Sequence, residues 1–87
     1  MKETIYVGNL PRDISDQDIG ELFENFGKVL SAKLVRYWDT GESRRFGFVV
    51  MYEEEVEIAI KSLNNMDIGR KRLKLDIAKK EKEEDKG

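Results

Sequence analysis

Two hydrophobic rhythms take turns along these 87 residues, and their order leaves few folds open. Apolar residues at alternate positions mark a half-buried strand; apolar residues at i, i+3, i+4 and i+7 mark an amphipathic helix. Residues 4–8 read as a strand with Ile5 and Val7 inward. A loop over residues 9–13 follows, and then Ser15 has the character of a helix N-cap. Asp18 completes a capping box with it, and Ile14 and Ile19 are spaced for a hydrophobic staple. Ile19, Leu22, Phe23 and Phe26 form that helix's apolar stripe, and Gly27 fits the left-handed position that ends a helix. Residues 28–37 read as a second strand. Its inward set of Val29, Ala32 and Leu34 does not alternate strictly, which predicts a bulge near Leu30 or Ser31. A hairpin loop centred on Gly41 leads to a third strand over residues 44–51. A second helix over residues 53–63 carries Val56, Ala59, Ile60 and Leu63 on one face, and residues 64–69 read as a turn. Residues 72–78 read as a fourth strand, with Leu73, Leu75 and Ile77 inside and Arg72, Lys74 and Asp76 outside.

The order is strand, helix, strand, strand, helix, strand. This predicts an α+β fold, a ferredoxin-like βαββαβ sandwich with a four-stranded antiparallel sheet. Right-handed crossovers place both helices on one face of that sheet and leave the other bare. Residues 1–80 make one domain. Residues 81–87 form a charged tail with no apolar anchor, expected to be mostly disordered.

The bare face is where the aromatic residues fall. Successive strand side chains point to opposite faces, so Phe46 and Phe48 share one face while Gly47, Val49 and Met51 share the other. Tyr6 likewise opposes Ile5 and Val7. With the aliphatic faces inward, three rings stand outward beside basic residues, an arrangement that suits stacking of unpaired bases. The net charge of −2 argues weakly against such a partner, but the charge is segregated. Residues 13–27 carry five acidic residues and no basic one, whereas residues 64–80 carry six basic residues against two acidic. A partner responds to that local field.

The same composition argues against other classes. The chain has no cysteine and no histidine, so thiolate metal sites, disulfides and the commonest general base are excluded. No metal, cofactor or catalytic residue is expected, and no small-molecule substrate. No apolar run approaches the roughly 18 residues of a membrane span. The first residues do not lead into a signal peptide, so a cytoplasmic protein is expected, and a lone domain with a wet sheet is expected to be a monomer.

Residues 5–10 and 44–51 together resemble the paired signature of the RNA recognition motif family. The first segment has that family's aliphatic, aromatic, aliphatic, any, Asn, Leu pattern. The second matches basic, Gly, aromatic, Gly, aromatic, Val, any, aromatic at all positions but Arg45 and Met51. The likeness spans residues 4–79, and in length the chain is similar to small bacterial single-domain members. The resemblance implies single-stranded RNA, or alternatively single-stranded DNA, as the partner. It implies stacking roles for Tyr6, Phe46 and Phe48 and a phosphate or ribose contact for Arg44. Asn9 would shape the loop after the first strand or contact a base edge. Lys33 and Val35 would border the platform on one side, and Arg72, Lys74 and Asp76 on the other. Lys79 and Lys80 would lie at an exit that often touches a base. Arg45, where the family has glycine, would either distort the strand entrance or add a phosphate contact. Tyr37 and Trp38 stand where the family has polar residues and are candidates for extra stacking; Trp38 would fold over the sheet or simply cover the hairpin.

Two other classes compete. A protein–protein interaction module on the same fold would use an acidic first helix, which is present, and an Arg-X-Phe loop, which Gly69-Arg70-Lys71-Arg72 is not. An enzyme is not expected, since no carboxylate pair or nucleophile–base pair is in view.

Overall fold

The computed structural model describes residues 1–78 and shows strands and helices in the expected order. Strands β1 (Lys2–Gly8), β2 (Val29–Arg36) and β3 (Ser43–Tyr52) and helices α1 (Asp16–Glu24) and α2 (Glu53–Leu63) are each within two residues of the predicted spans. The last predicted strand divides. Asp67–Ile68 (β4) and Lys71–Arg72 (β5) form a small hairpin of their own, and Lys74–Ile77 (β6) joins the main sheet. Arg72, predicted at the start of the fourth strand, therefore belongs to the hairpin. That sheet is antiparallel in the order β2-β3-β1-β6. This is the ferredoxin-like arrangement, with the signature-bearing strands β1 and β3 in the centre.

The core lies between the sheet and the helices. Ile5, Val7, Val49 and Met51 from the central strands are buried against Ile19, Phe23, Val56, Ala59 and Leu63 from the helices. The capping box at Ser15 and Asp18 is formed, and Ile14 packs on the core that holds Ile19. Asn25, not Gly27, caps α1: its side-chain amide donates to the Leu22 carbonyl at 3.2 Å. Gly27, with φ 158°, instead leaves room for the Glu55 side chain, whose carboxylate accepts the Lys28 N–H at 3.1 Å.

The bulge is where the pattern put it. Val29 pairs with Met51 and Ser31 with Val50, so Leu30 is the extra residue. That single insertion lets Val29, Ala32 and Leu34 all face the helices despite their uneven spacing. Ile77 departs from expectation. It is on the helix-facing side of β6, yet 38% of it is exposed. β6 is an edge strand, and Ile77 lines an open hollow beside Val56 and Ile60 rather than a closed core. The outer edges are otherwise blunted by side chains. The Asp16 carboxylate accepts the Leu34 N–H at 2.8 Å, and the Asn64 side-chain carbonyl accepts the Leu75 N–H at 3.1 Å.

Candidate nucleic-acid interface

The face of the sheet opposite the helices carries the three rings. Tyr6 and Phe48 are direct cross-strand partners on β1 and β3, and Phe46 is two residues along β3. Their ring centroids form a near-equilateral triangle, 5.8 Å from Tyr6 to Phe46 and 6.1 Å on the other two sides. Phe48 stands edge-on to both others, at 63° to Tyr6 and 88° to Phe46. Edge-to-face pairs of this kind contribute about 0.5–1.5 kcal/mol beyond area burial, so the cluster is held before any ligand arrives. All three rings are half-buried.

Tyr6 lies along its own strand, over Gly8. A Cβ at Gly8 would come 2.7 Å from the Tyr6 Cζ and 2.8 Å from its Cε2. Strand residues i and i+2 share a face, so only a residue without a side chain at position 8 lets the ring lie down. The obstructed atoms are the far end of a side chain that can rotate away. Gly8→Ala is therefore expected to displace Tyr6 at a stability cost no larger than that of its two ring pairs, about 1–3 kcal/mol. The resulting loss of RNA affinity, measurable by fluorescence anisotropy, should approach that of removing one stacked base, about 1–3 kcal/mol.

Charged residues flank the rings in register. Lys33 on β2 is opposite Phe48, Asp76 on β6 is opposite Tyr6, and Lys74 is opposite Gly8. All three are exposed. The Arg44 guanidinium is 5.4 Å from the Phe46 ring centroid and 5.3 Å from that of Tyr37. It thus bridges the platform to the hairpin loop, bringing Tyr37 into line with the sheet. Trp38 neither folds over the sheet nor covers the hairpin: it is 95% exposed. Asn9, in the left-handed region at φ 61°, spends its amide on the Arg72 carbonyl at 2.7 Å, tying the end of β1 to β5. Lys79 and the tail lie outside the described residues. The acidic residues of α1 and α2, Asp16, Asp18 and Glu53 to Glu55 among them, are on the other side of the sheet. A net negative chain thereby keeps its ring-bearing face supplied with cations.

Arg45 bends the entrance of β3. Between the Leu34–Gly47 and Arg36–Ser43 pairs, β2 supplies Val35 alone while β3 supplies Arg44, Arg45 and Phe46. Arg45 takes φ 68° in this bulge, and its carbonyl accepts the Leu10 N–H at 2.9 Å. A left-handed backbone costs an L-residue about 1–2 kcal/mol, partly offset by the greater entropy that glycine loses on folding. Arg45→Gly is therefore expected to raise stability by up to about 1 kcal/mol, seen as a higher denaturant midpoint at unchanged slope. Arg45→Ala should not raise it.

The family model for the RNA recognition motif matches residues 5–74. The chain belongs to the RNA recognition motif family. A chloroplastic RNA-binding protein of Arabidopsis thaliana is 43% identical over 75 residues, covering 85% of this chain and 26% of that protein. A chloroplastic 28 kDa ribonucleoprotein of Spinacia oleracea is 41% identical over 75 residues, covering 85% of this chain and 32% of that one. The chain thus spans about a quarter to a third of these curated relatives, which are chloroplast ribonucleoproteins rather than the small bacterial members its length suggested. Among solved structures, the RNA binding protein PG1 superposes with a TM-score of 0.84 at 35% identity, covering 87% of this chain and 93% of that one. An Sxl-lethal protein/RNA complex gives 0.85 at 31% identity, covering 91% and 48%. The motif is an RNA-binding one and not an enzyme family, and its ring-bearing strands are the two central strands of this sheet.

Sequence reasoning missed four residues that shape this end of the motif. Gly8 had a signal, a glycine two positions from an outward tyrosine. Arg12, Arg70 and Lys71 had only the basic character of their segments, because their proximity depends on where the β4–β5 hairpin lies.

Proposed function

We propose that this motif binds single-stranded RNA, with bases stacked on Tyr6, Phe46 and Phe48 and the strand held by Arg44, Lys33 and Lys74, and that it does so as a monomer in the cytoplasm. The observation that carries this reading is the half-exposed ring triangle on a sheet face that no helix among the described residues covers. Base–aromatic stacking tolerates sequence, since every base has a π-face, so modest base selectivity is expected. Double-stranded RNA would bury its bases away from the rings. Equilibrium titration with one RNA sequence, single-stranded and then annealed to its complement, tests the reading. The single strand should bind more tightly, and equal affinity for the duplex would refute the stacking role. A matched single-stranded DNA measures how much the 2′-hydroxyl contributes.

Trp38 belongs to the same reading as a further stacking ring at the loop that Arg44 and Tyr37 join to the platform. It is the chain's one tryptophan, so its emission reports this loop alone. Single-stranded RNA should quench that emission in step with the anisotropy change. Unaltered emission at saturation would remove Trp38 from the site.

A further inference from the structure

Five cations converge at the end of the sheet where β1 exits and β3 begins, beyond the rings. Arg12, Arg44 and Arg45 line a hollow of about 250 Å³ there, and Arg12, Arg45, Arg70 and Lys71 line a second of about 430 Å³. The two hollows share Arg12 and Arg45, and the acids lining them are Glu42 and Asp13. These come from three separate places in the sequence: the loop after β1, the bulge in β3 and the β4–β5 hairpin. Their meeting is a product of the fold. The Leu10 N–H bond to the Arg45 carbonyl fixes the first two together, and the Asn9 bond to the Arg72 carbonyl fixes the first to the third.

Elsewhere on this surface, arginines are paired. Arg36 approaches Asp16 at 4.0 Å and Arg72 approaches Asp67 at 3.4 Å. None of the five converging cations has a salt-bridge partner among the described residues. Five cations against two acids, with no salt bridge among them, repel one another, and Arg45 holds its place in a left-handed backbone that glycine would occupy at less cost. An anion that spans the two hollows would relieve the repulsion and make use of the strained position.

We infer that Arg12, Arg45, Arg70 and Lys71 form a phosphate-tracking subsite that takes the RNA backbone as it leaves the stacking platform at Phe46. This rests on the stacking reading above and extends it: Arg44, against the Phe46 ring and on the wall of the first hollow, is the hinge between bases and backbone. A strand that only fills the platform would not reach the subsite. A longer strand would, and its binding would carry a steeper salt dependence.

The test uses a short RNA of about three nucleotides, matched to a platform for two or three bases, and a longer one of roughly eight, within the reach of a single binding domain. The combined variant Arg12→Gln, Arg70→Gln, Lys71→Gln changes only solvent-facing or half-buried side chains, and Phe48→Ala serves as the platform control. Each phosphate contact to a single strand contributes about 0.7 to the slope of log K against log salt. The combined variant should therefore lower the slope for the longer RNA by about 2 and weaken it several-fold at low salt, with the short RNA unchanged. An unchanged slope and affinity for the longer RNA overturns the subsite and leaves the platform standing. An equal loss for both lengths also overturns it, since the cations would then act as a diffuse field. Longer-RNA binding that falls with the combined variant but not with Phe48→Ala refutes the stacking reading and keeps the anion site.

Discussion

Replacing Phe48 by alanine is expected to weaken single-stranded RNA binding by about 1–3 kcal/mol, roughly five- to 150-fold. Phe48 is the residue on which the triangle depends. It faces Tyr6 across β1 and Lys33 across β2, and it makes edge contacts with both other rings. Its removal costs one stacking surface directly and loosens the other two. The core is on the opposite face, where Val49 and Met51 point, so the fold should survive. Loss of two ring pairs lowers stability by about 1–3 kcal/mol at most, which thermal melting followed by circular dichroism will separate from the loss of affinity. A variant that melts cooperatively and still binds RNA as tightly as the parent would contradict the stacking mechanism.

Gly47→Ala is expected to act the other way round, on stability first. Gly47 is in the central strand β3, paired with Leu34 on one side and Val7 on the other. A Cβ there would run into the Lys33 carbonyl oxygen, and would come 3.0 Å from the Leu34 Cα and 3.1 Å from the Lys33 carbonyl carbon. These are backbone atoms of a paired strand. They cannot rotate aside as the Tyr6 ring can at Gly8, so relief requires β2 to move away from β3. Overpacking of this kind costs about 1–3 kcal/mol, and each kilocalorie lowers the melting temperature of a domain this size by roughly 4–8 °C. RNA affinity should fall as well, because Phe46 and Phe48 flank the displaced residue. A Gly47→Ala protein that melts with the parent would show that the β2–β3 approach is looser than described.

These two substitutions mark what the sequence could and could not show. The succession of strands and helices along the chain, the burial of alternate positions and the face that carries the rings follow from periodicity, since a one-residue slip would bury Tyr6 or Phe48 and expose Ile5 or Val49. The bulge at Leu30 was legible for the same reason: Val29, Ala32 and Leu34 cannot share a face without it. The β4–β5 hairpin was not, because strands of two residues carry no period. Ile77 was assigned the correct face but not its exposure, since alternation gives the side of a sheet and not how far a helix covers it. The left-handed backbone of Arg45 had a signal only as a departure from the glycine of the family pattern. The convergence of Arg12 with Arg70 and Lys71 had none, because long-range proximity of loops has no local signature.

The most direct test of base stacking on this sheet is an amide chemical-shift titration of the protein with a degenerate single-stranded RNA pool at low salt. Shifts concentrated on β1 and β3, at Tyr6, Phe46 and Phe48, and at Lys33 and Lys74 on the flanking strands, are the predicted result. Shifts confined to the acidic outer faces of α1 and α2, or none on the central strands at saturating RNA, would contradict it.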